Sequence, residues 1–324
     1  MTMLYPLTFK PIFKERVWGG RRIETLFHKA LPPNVPIGES WEITDRAEGI
    51  SEITNGPLAG KTLRWLMENH AGELLGKERA GEKNFPLLVK ILDCSDKLSL
   101  QVHPPASKAA ELGGERKTEM WVFAETTADA DIFVGLKRGV TRDEFERKTR
   151  DGTVAECFHR IRVEPGDVMF LPSGRVHALG AGGVVFEIQQ NSDTTYRVFD
   201  WNRVGLDGKP RELHIPQSLA SIDFNDFEPS LVRSEFSRNE EISIRYLVDD
   251  PLFRVNQWRV KRDARFYLTS ALPQIIGVLI GELVVGHNDQ EVTLRPGNFC
   301  LLPAALQRVT IKSPLRSEFL HAEF

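Results

Sequence analysis

Cysteine is scarce in this chain. Three occur in 324 residues, Cys94, Cys157 and Cys300, far apart and with no CxxC pair. That spacing argues against a disulfide framework and a thiolate zinc site, and it fits reduced, buried thiols in the cytoplasm. Long apolar runs are missing as well. Stretches such as IIGVLI at 275–280 fall far short of the roughly 20 residues of a membrane helix. The opening MTMLYPLTFKPIFKERVW has no apolar core behind a basic start, so no secretory signal is expected. Neither charge dominates: 42 Lys and Arg stand against 45 Asp and Glu, a net −3. No nucleic acid or anionic membrane partner is expected from that balance, and an anionic small molecule must be met by a few local cations. The glycine run GAGG at 180–183 lacks the strand-to-helix context of a phosphate-binding loop.

What is present is a succession of short, alternating segments. SWEITD (40–45), GISEIT (49–54), LLVKILD (87–93), KLSLQVHP (97–104), TEMWVF (118–123) and ADIFVGL (130–136) read as strands separated by turn residues. CFHRIRV (157–163), DVMFLP (167–172), GVVFEIQQ (183–190) and TYRVFDW (195–201) continue the series. Helical spacing is confined to Thr62–Leu75, to Thr141–Thr149 with its Thr N-cap and Glu three residues on, and to a turn near Ser107–Leu112. The reading is a mainly β protein, a sandwich or barrel with a few short helices.

The chain also repeats itself weakly. VEPGDVMFLPSGRVHAL (163–179) aligns without gaps with LRPGNFCLLPAALQRVT (294–310), matching Pro165, Gly166, Leu171 and Pro172 to Pro296, Gly297, Leu302 and Pro303. His177 falls opposite Arg308. Two β-barrels are therefore expected, with metal only in the first, and the polar segment 224–243 as the joint. The boundaries are 1–235 for a metal-binding catalytic domain carrying the short helices and 236–324 for a metal-free β domain.

Three short phrases combine into one candidate metal site: Gln101-Val-His103-Pro, Lys117-Thr-Glu119-Met-Trp, and Gly166 to His177. Residues two apart on a strand share a face, which aligns Gln101 with His103 and Lys117 with Glu119. Two imidazoles, a carboxylate and a carboxamide form a mixed nitrogen and oxygen set. It suits zinc, with manganese or iron(II) possible, and can leave a position open. The remaining six histidines sit outside any motif and read as ordinary surface or packing residues.

The Gly-x5-Pro-x-Gly-x2-His phrase ending at His177 resembles the second motif of the cupin superfamily, where the His is a metal ligand. Gln101-x-His103 followed by Glu119 resembles type I mannose-6-phosphate isomerases. FKPIFKERVWGG (9–20), GESWEI (38–43), FPLLVKILD (85–93), LSLQVHP (98–104), KTEMW (117–121), PSGRVHA (172–178), QQNSDTTYR (189–197) and RELHI (211–215) are similar to the short bacterial form of that family. The resemblance thins in the last quarter of the chain. It implies two cupin-like jelly-roll barrels, with one Zn2+ per chain on Gln101, His103, Glu119 and His177, and Mn2+ or Co2+ as substitutes. It also implies Arg197, Lys117 and Glu187 in catalysis, and Ser99, Lys117, Asp193 and Arg197 on the substrate.

The reaction implied is the interconversion of mannose 6-phosphate and fructose 6-phosphate. A proton leaves C2, an enediol forms, and a proton returns at C1. A metal-held water, Glu187 and Lys117 are all possible bases at this stage. Ser99, Lys97, Arg16 and Arg203 are candidate phosphate contacts. The alternatives are an isomerase of another phosphosugar and a non-catalytic cupin that binds or senses sugar. A metal-dependent dioxygenase fits less well, because its facial triad does not explain KTEMW or NSDTTYR. The expected partner is a small phosphosugar, and the expected assembly a monomer or weak homodimer.

Overall fold

Alternation at period two decides how this chain folds. In Gly183–Gln190, Val184, Phe186 and Ile188 turn to one face while Val185, Glu187 and Gln189 turn to the other, and all six are buried. A strand buried on both faces, with polar side chains on only one, belongs in the middle of a sheet between an apolar core and a site. The computed structural model describes residues 4–239 and 241–324 and places this strand accordingly. It lies in a six-stranded antiparallel sheet in the order Ile12–Gly20, Ile37–Ile43, Leu87–Asp93, Gly183–Gln190, Glu119–Thr126, Val168–Leu171.

A five-stranded sheet faces it, in the order Tyr196–Phe199, Leu100–Val102, His177–Leu179, Asp131–Leu136, Phe158–Arg162. Trp121, Phe123, Met169 and Val185 from one sheet meet Ile132, Val134 and Leu179 from the other. This packing fills one part of the space between the sheets, and the polar residues described below occupy another. A second pair of sheets follows. One runs Ile242–Asp250, Phe253–Val260, Ser317–Glu323, Gln274–Ile280, Phe299–Leu302, and the other Ala264–Thr269, Arg308–Ser313, Leu283–His287, Gln290–Leu294. All four sheets have free edge strands, so no closed barrel forms among the described residues. The architecture is mainly β with few helices, as expected, in the form of open sandwiches.

The helices at Leu63–Leu75 and Arg142–Arg150 start as the sequence predicts. Thr62 Oγ1 accepts from the Trp65 N–H at 3.1 Å, and Thr141 Oγ1 from the Glu144 N–H at 3.2 Å. The segment near 107–112 forms only Ala106–Ala109 as helix, while Arg22–Phe27 and Ile215–Ser221 are helices with no strong periodic signal.

The repeat is a repeat of structure. In the first sandwich Leu171 pairs with Glu119, and in the second Leu302 pairs with Gln274. Carrying this register across the sheets sets Glu187 against His321 and Lys90 against Asn256. In the facing sheets, His177 pairs with Gln101 where Arg308 pairs with Thr269. Both Pro-Gly turns put their glycine in the left-handed region, Gly166 at φ 88° and Gly297 at φ 78°. The backbone frame of the site is thus present twice, while the side chains differ.

The two sandwiches share one core. Leu7 exchanges both backbone hydrogen bonds with Leu301 at 2.9 Å, so the start of the chain pairs with the C-terminal unit. Phe186 and Phe299 meet with ring centroids 5.2 Å apart, and Phe85 and Phe324 at 5.3 Å.

Candidate metal centre and substrate cavity

His103, Glu119 and His177 come from three different strand segments and converge. One potential ligand atom from each lies within 4.8 Å of the others, and their exposures are 2%, 1% and 1%. His103 follows the Leu100–Val102 strand, His177 begins its own, and Glu119 begins the strand facing them. Each imidazole is fixed through Nδ1. The His103 Nδ1–H donates to the Thr194 carbonyl at 2.8 Å, and the His177 Nδ1–H to the Arg175 carbonyl at 2.9 Å. That leaves Nε2 of both rings as a lone pair facing Glu119 Oε2 at 3.6 Å and Oε1 at 3.2 Å.

Neither Nε2 nor Glu119 Oε1 has a hydrogen-bond partner, although all three are buried, while Glu119 Oε2 faces the Lys117 ammonium at 2.7 Å. Buried acceptors without donors are costly unless a cation supplies the missing partner. The donor set and its tautomers therefore fit a divalent metal ion. Burial first, and then the Lys117 ammonium, lower the His103 pKa to about 3, which keeps its ring neutral. Burial opposes the Glu119 charge, but the Lys117 ammonium beside it outweighs that and holds the carboxyl well below the usual carboxylate range.

A cavity of about 590 Å³ lies beside this triad, joined to it through Lys117, which lines the cavity and stands next to Glu119. Gln101 and Lys117 lie on its wall. Gln101 pairs with His177 on one side and Arg197 on the other, so the three residues form a row across the sheet. Lys117 Nζ lies 2.7 Å from Glu119 Oε2 and 3.9 Å from Glu187 Oε1. Burial works against its charge, yet the carboxylates of Glu119 and Glu187 prevail and raise its pKa.

Glu187 is tilted the other way. Burial, followed by the Glu119 charge, raises its pKa against the pull of Lys117, Lys90 and the indole N–H of Trp121, which donates at 2.9 Å. A buried carboxyl with a raised pKa beside a cavity can accept and return a proton.

The full-length comparisons decide the family. Residues 7–120 match the phosphomannose isomerase type I catalytic domain, and residues 243–319 match the mannose-6-phosphate isomerase cupin domain. The chain is 37% identical to the probable mannose-6-phosphate isomerase GmuF of Bacillus subtilis, over 96% of this chain and 97% of that one. It is 36% identical to the mannose-6-phosphate isomerase ManA of the same organism, over 93% and 94%. The chain belongs to the type I mannose-6-phosphate isomerases. A crystal structure of mannose 6-phosphate isomerase from Bacillus subtilis superposes with a TM-score of 0.89 at 31% identity, covering 99% of this chain and all of that one.

Within this isomerase chain, Ser99, Gln101, Lys117, Glu187, Asp193 and Arg197 all line the one cavity. Of the candidate phosphate contacts, Ser99 and Arg16 line it too. Lys97 instead lies over the Trp201 ring, 4.6 Å from its centroid. Arg203 is held by Asp200 at 2.9 Å and Asp96 at 3.1 Å.

The isomerase cavity also has Lys90 and Glu39, which lie in the family phrases FPLLVKILD and GESWEI but drew no role from them. Lys90 Nζ lies 3.5 Å from Glu187, 3.7 Å from Glu39 and 3.8 Å from Asp193. Glu39 accepts from Arg16 Nε at 2.7 Å and from the Trp41 indole at 2.6 Å. Burial opposes the Glu39 charge, but Lys90, Arg16 and Trp41 outweigh it and lower the pKa to about 2. Beyond those phrases their sequence trace is alternation, since Glu39 and Trp41 share a strand face, as do Lys90 and Leu92.

Proposed function

We propose that this chain interconverts mannose 6-phosphate and fructose 6-phosphate with a divalent ion held by Gln101, His103, Glu119 and His177. The observation that carries the reading is the buried His-Glu-His triad, its Nε2 atoms and Glu119 Oε1 without a partner, beside a polar cavity lined by Gln101 and Lys117. The cavity volume falls in the usual range for a small-ligand site, about 300–1,000 Å³. Zinc is the first choice for two imidazoles, a carboxylate and a carboxamide, with manganese or cobalt as substitutes.

When bound, the ion supplies a fixed positive charge that favours the enediolate over the sugar carbonyl. Glu187 takes the proton from C2 and returns it to C1, for which its raised pKa and its place on the cavity wall equip it, while the hydroxyl proton passes from O2 to O1. Lys117, kept as an ammonium by Glu119 and Glu187, donates to a sugar oxygen. Arg197 places a further cation on the same wall, and Asp193 meets a hydroxyl.

We also read the two pairs of sheets as a duplicated cupin divided near 235, with the second copy free of metal. The shared register and the side chains Thr269, Gln274 and Arg308 at the places of Gln101, Glu119 and His177 support this. We read the assembly as a monomer or weak homodimer. The three free thiols suit the cytoplasm.

The test is fructose 6-phosphate formation from mannose 6-phosphate before chelation, after it, and after adding back each metal. Activity lost to chelator and restored by zinc, manganese or cobalt is expected. Undiminished turnover after complete metal removal would overturn the metal assignment, and no turnover with any metal would overturn the substrate.

A further inference from the structure

A second cavity, of about 480 Å³, lies where the two sandwiches meet. Phe9, Phe13 and Phe27 line it from the first sandwich and Phe299 from the second. His28, in the left-handed region at φ 53°, ends the helix Arg22–Phe27 and is followed by Lys29. Lys29 is 9% exposed and lines this cavity as well. Its Nζ donates to Glu42 Oε2 at 2.9 Å, and Glu42 Oε1 accepts from Ser40 Oγ at 2.5 Å.

This buried pair is unevenly satisfied. Both Glu42 oxygens have a donor, whereas the Lys29 ammonium, with three N–H donors, has one acceptor among the described residues. A buried ion pair offsets its desolvation only when its remaining donors also find partners. The spare capacity therefore sits on the cation, beside a cavity walled by phenyl rings. Glu42 is the one carboxylate among the described residues that line it, and the exposed Lys10 adds a second cation, itself without an ion pair. An anionic head on a flat apolar body matches these walls.

Alternation ties this cavity to the isomerase cavity. On the strand Ile37–Ile43, Glu42 turns to the second cavity with Ser40 beside it. Glu39 and Trp41 turn the other way, where Glu39 lines the isomerase cavity and accepts from Arg16. Phe27 also packs edge-on against Phe186, the neighbour of Glu187, with ring centroids 5.5 Å apart.

We propose that the second cavity is an effector site for small aromatic carboxylates, bound at the carboxylate by Lys29 and at the ring by Phe13 and Phe27. A carboxylate on Lys29 competes there with Glu42, and Glu42 shares its strand with Glu39, so occupancy is passed to the isomerase cavity through Ile37–Ile43.

The experiment uses the metal-loaded protein, with 3-phenylpropanoate as the calorimetric probe and 3-phenylpropanamide as its neutral control. Wild type should bind the acid about 10- to 100-fold more tightly than the amide, the worth of a charged hydrogen bond. Lys29→Met combined with Glu42→Gln leaves no lone buried charge. It should lose that margin while its metal content and its turnover without probe match wild type. Phe13→Ala should weaken both compounds by about 2- to 10-fold, and it stands in if the paired variant does not fold. Saturating 3-phenylpropanoate should move the KM for mannose 6-phosphate by about fivefold or more, to a plateau, in wild type alone. A KM that climbs without limit, alike in wild type and the paired variant, places the probe in the isomerase cavity and overturns the proposal. So does a wild type that binds the acid no better than the amide, or one that binds it with KM and kcat unchanged. Lys29-dependent binding in a protein with no mannose 6-phosphate turnover would uphold the site and reject the isomerase reading, on which only the KM effect rests.

Discussion

The imidazoles of His103 and His177 present Nε2 because backbone carbonyls hold Nδ1, so the tautomer is set by the fold before any metal arrives. Removing either ring leaves Glu119 beside one imidazole and the Lys117 ammonium. His103→Ala or His177→Ala should therefore lose metal and turnover together, by about 10-fold or far more in affinity. Metal analysis alongside the coupled assay checks this, and a variant with full metal and normal rate would remove that histidine from the site. Glu187→Gln is the sharper test of chemistry. It keeps the shape and the Trp121 contact but cannot accept a proton, so kcat should fall about 10²- to 10⁴-fold with metal retained. A variant at wild-type kcat would pass the role of base elsewhere. His103 and His177 are legible because each sits in a phrase with fixed neighbours, and Glu187 because it lies in the polar stretch that leads into NSDTTYR. Lys90 and Glu39 also sit in such phrases, but their role is not legible there, because what marks it is burial among carboxylates and cations brought in from strands far apart in sequence.

At the scale of elements, alternation predicted the central strands well. Leu87–Asp93 and Gly183–Gln190 were placed residue for residue. GISEIT shrank to a two-residue strand at Gly49–Ile50 with isolated bridges beyond it, for want of a continuous neighbour. The repeated Pro-Gly turn offers a controlled comparison. Both glycines need the left-handed backbone, which costs an ordinary residue about 1–2 kcal/mol. A Cβ on Gly166 would find nothing nearer than Arg245 Nη2 at 3.9 Å, whereas a Cβ on Gly297 would stand 2.5 Å from Cγ of Phe27. Gly297→Ala should thus be the more destabilising by about 1–3 kcal/mol, the overpacking term. Urea melts of the two variants measure the difference, and equal losses would mean that the Phe27 ring moves aside freely.

Across the whole molecule, the second sandwich repeats the strand register of the first and has a histidine where the first has Glu187. His321 is 6% exposed, donates through Nε2 to Gln274 Oε1 at 2.7 Å, and has no partner at Nδ1. Burial dominates over the attraction of Glu323 and lowers its pKa to about 4. The unfolded chain binds this proton near the usual 6.5, so the stability due to the neutral ring is present above that pH. It is lost as pH falls toward 4, by at most about 3 kcal/mol. Glu39, lowered to about 2, acts below this window, where its stabilisation disappears between its usual 4.5 and 2.

His103 titrates in the same range as His321, so the informative quantity is the difference between wild type and His321→Gln. That difference should shrink with falling pH between 6.5 and 4, and a constant difference would show that His321 does not titrate there. Because Leu7 pairs with Leu301 and Phe186 packs on Phe299, the second sandwich has no core of its own to lose. Acid unfolding seen at Trp258 and loss of isomerase activity should therefore fall on one curve. Two separate transitions would mean that the sandwiches come apart before either unfolds.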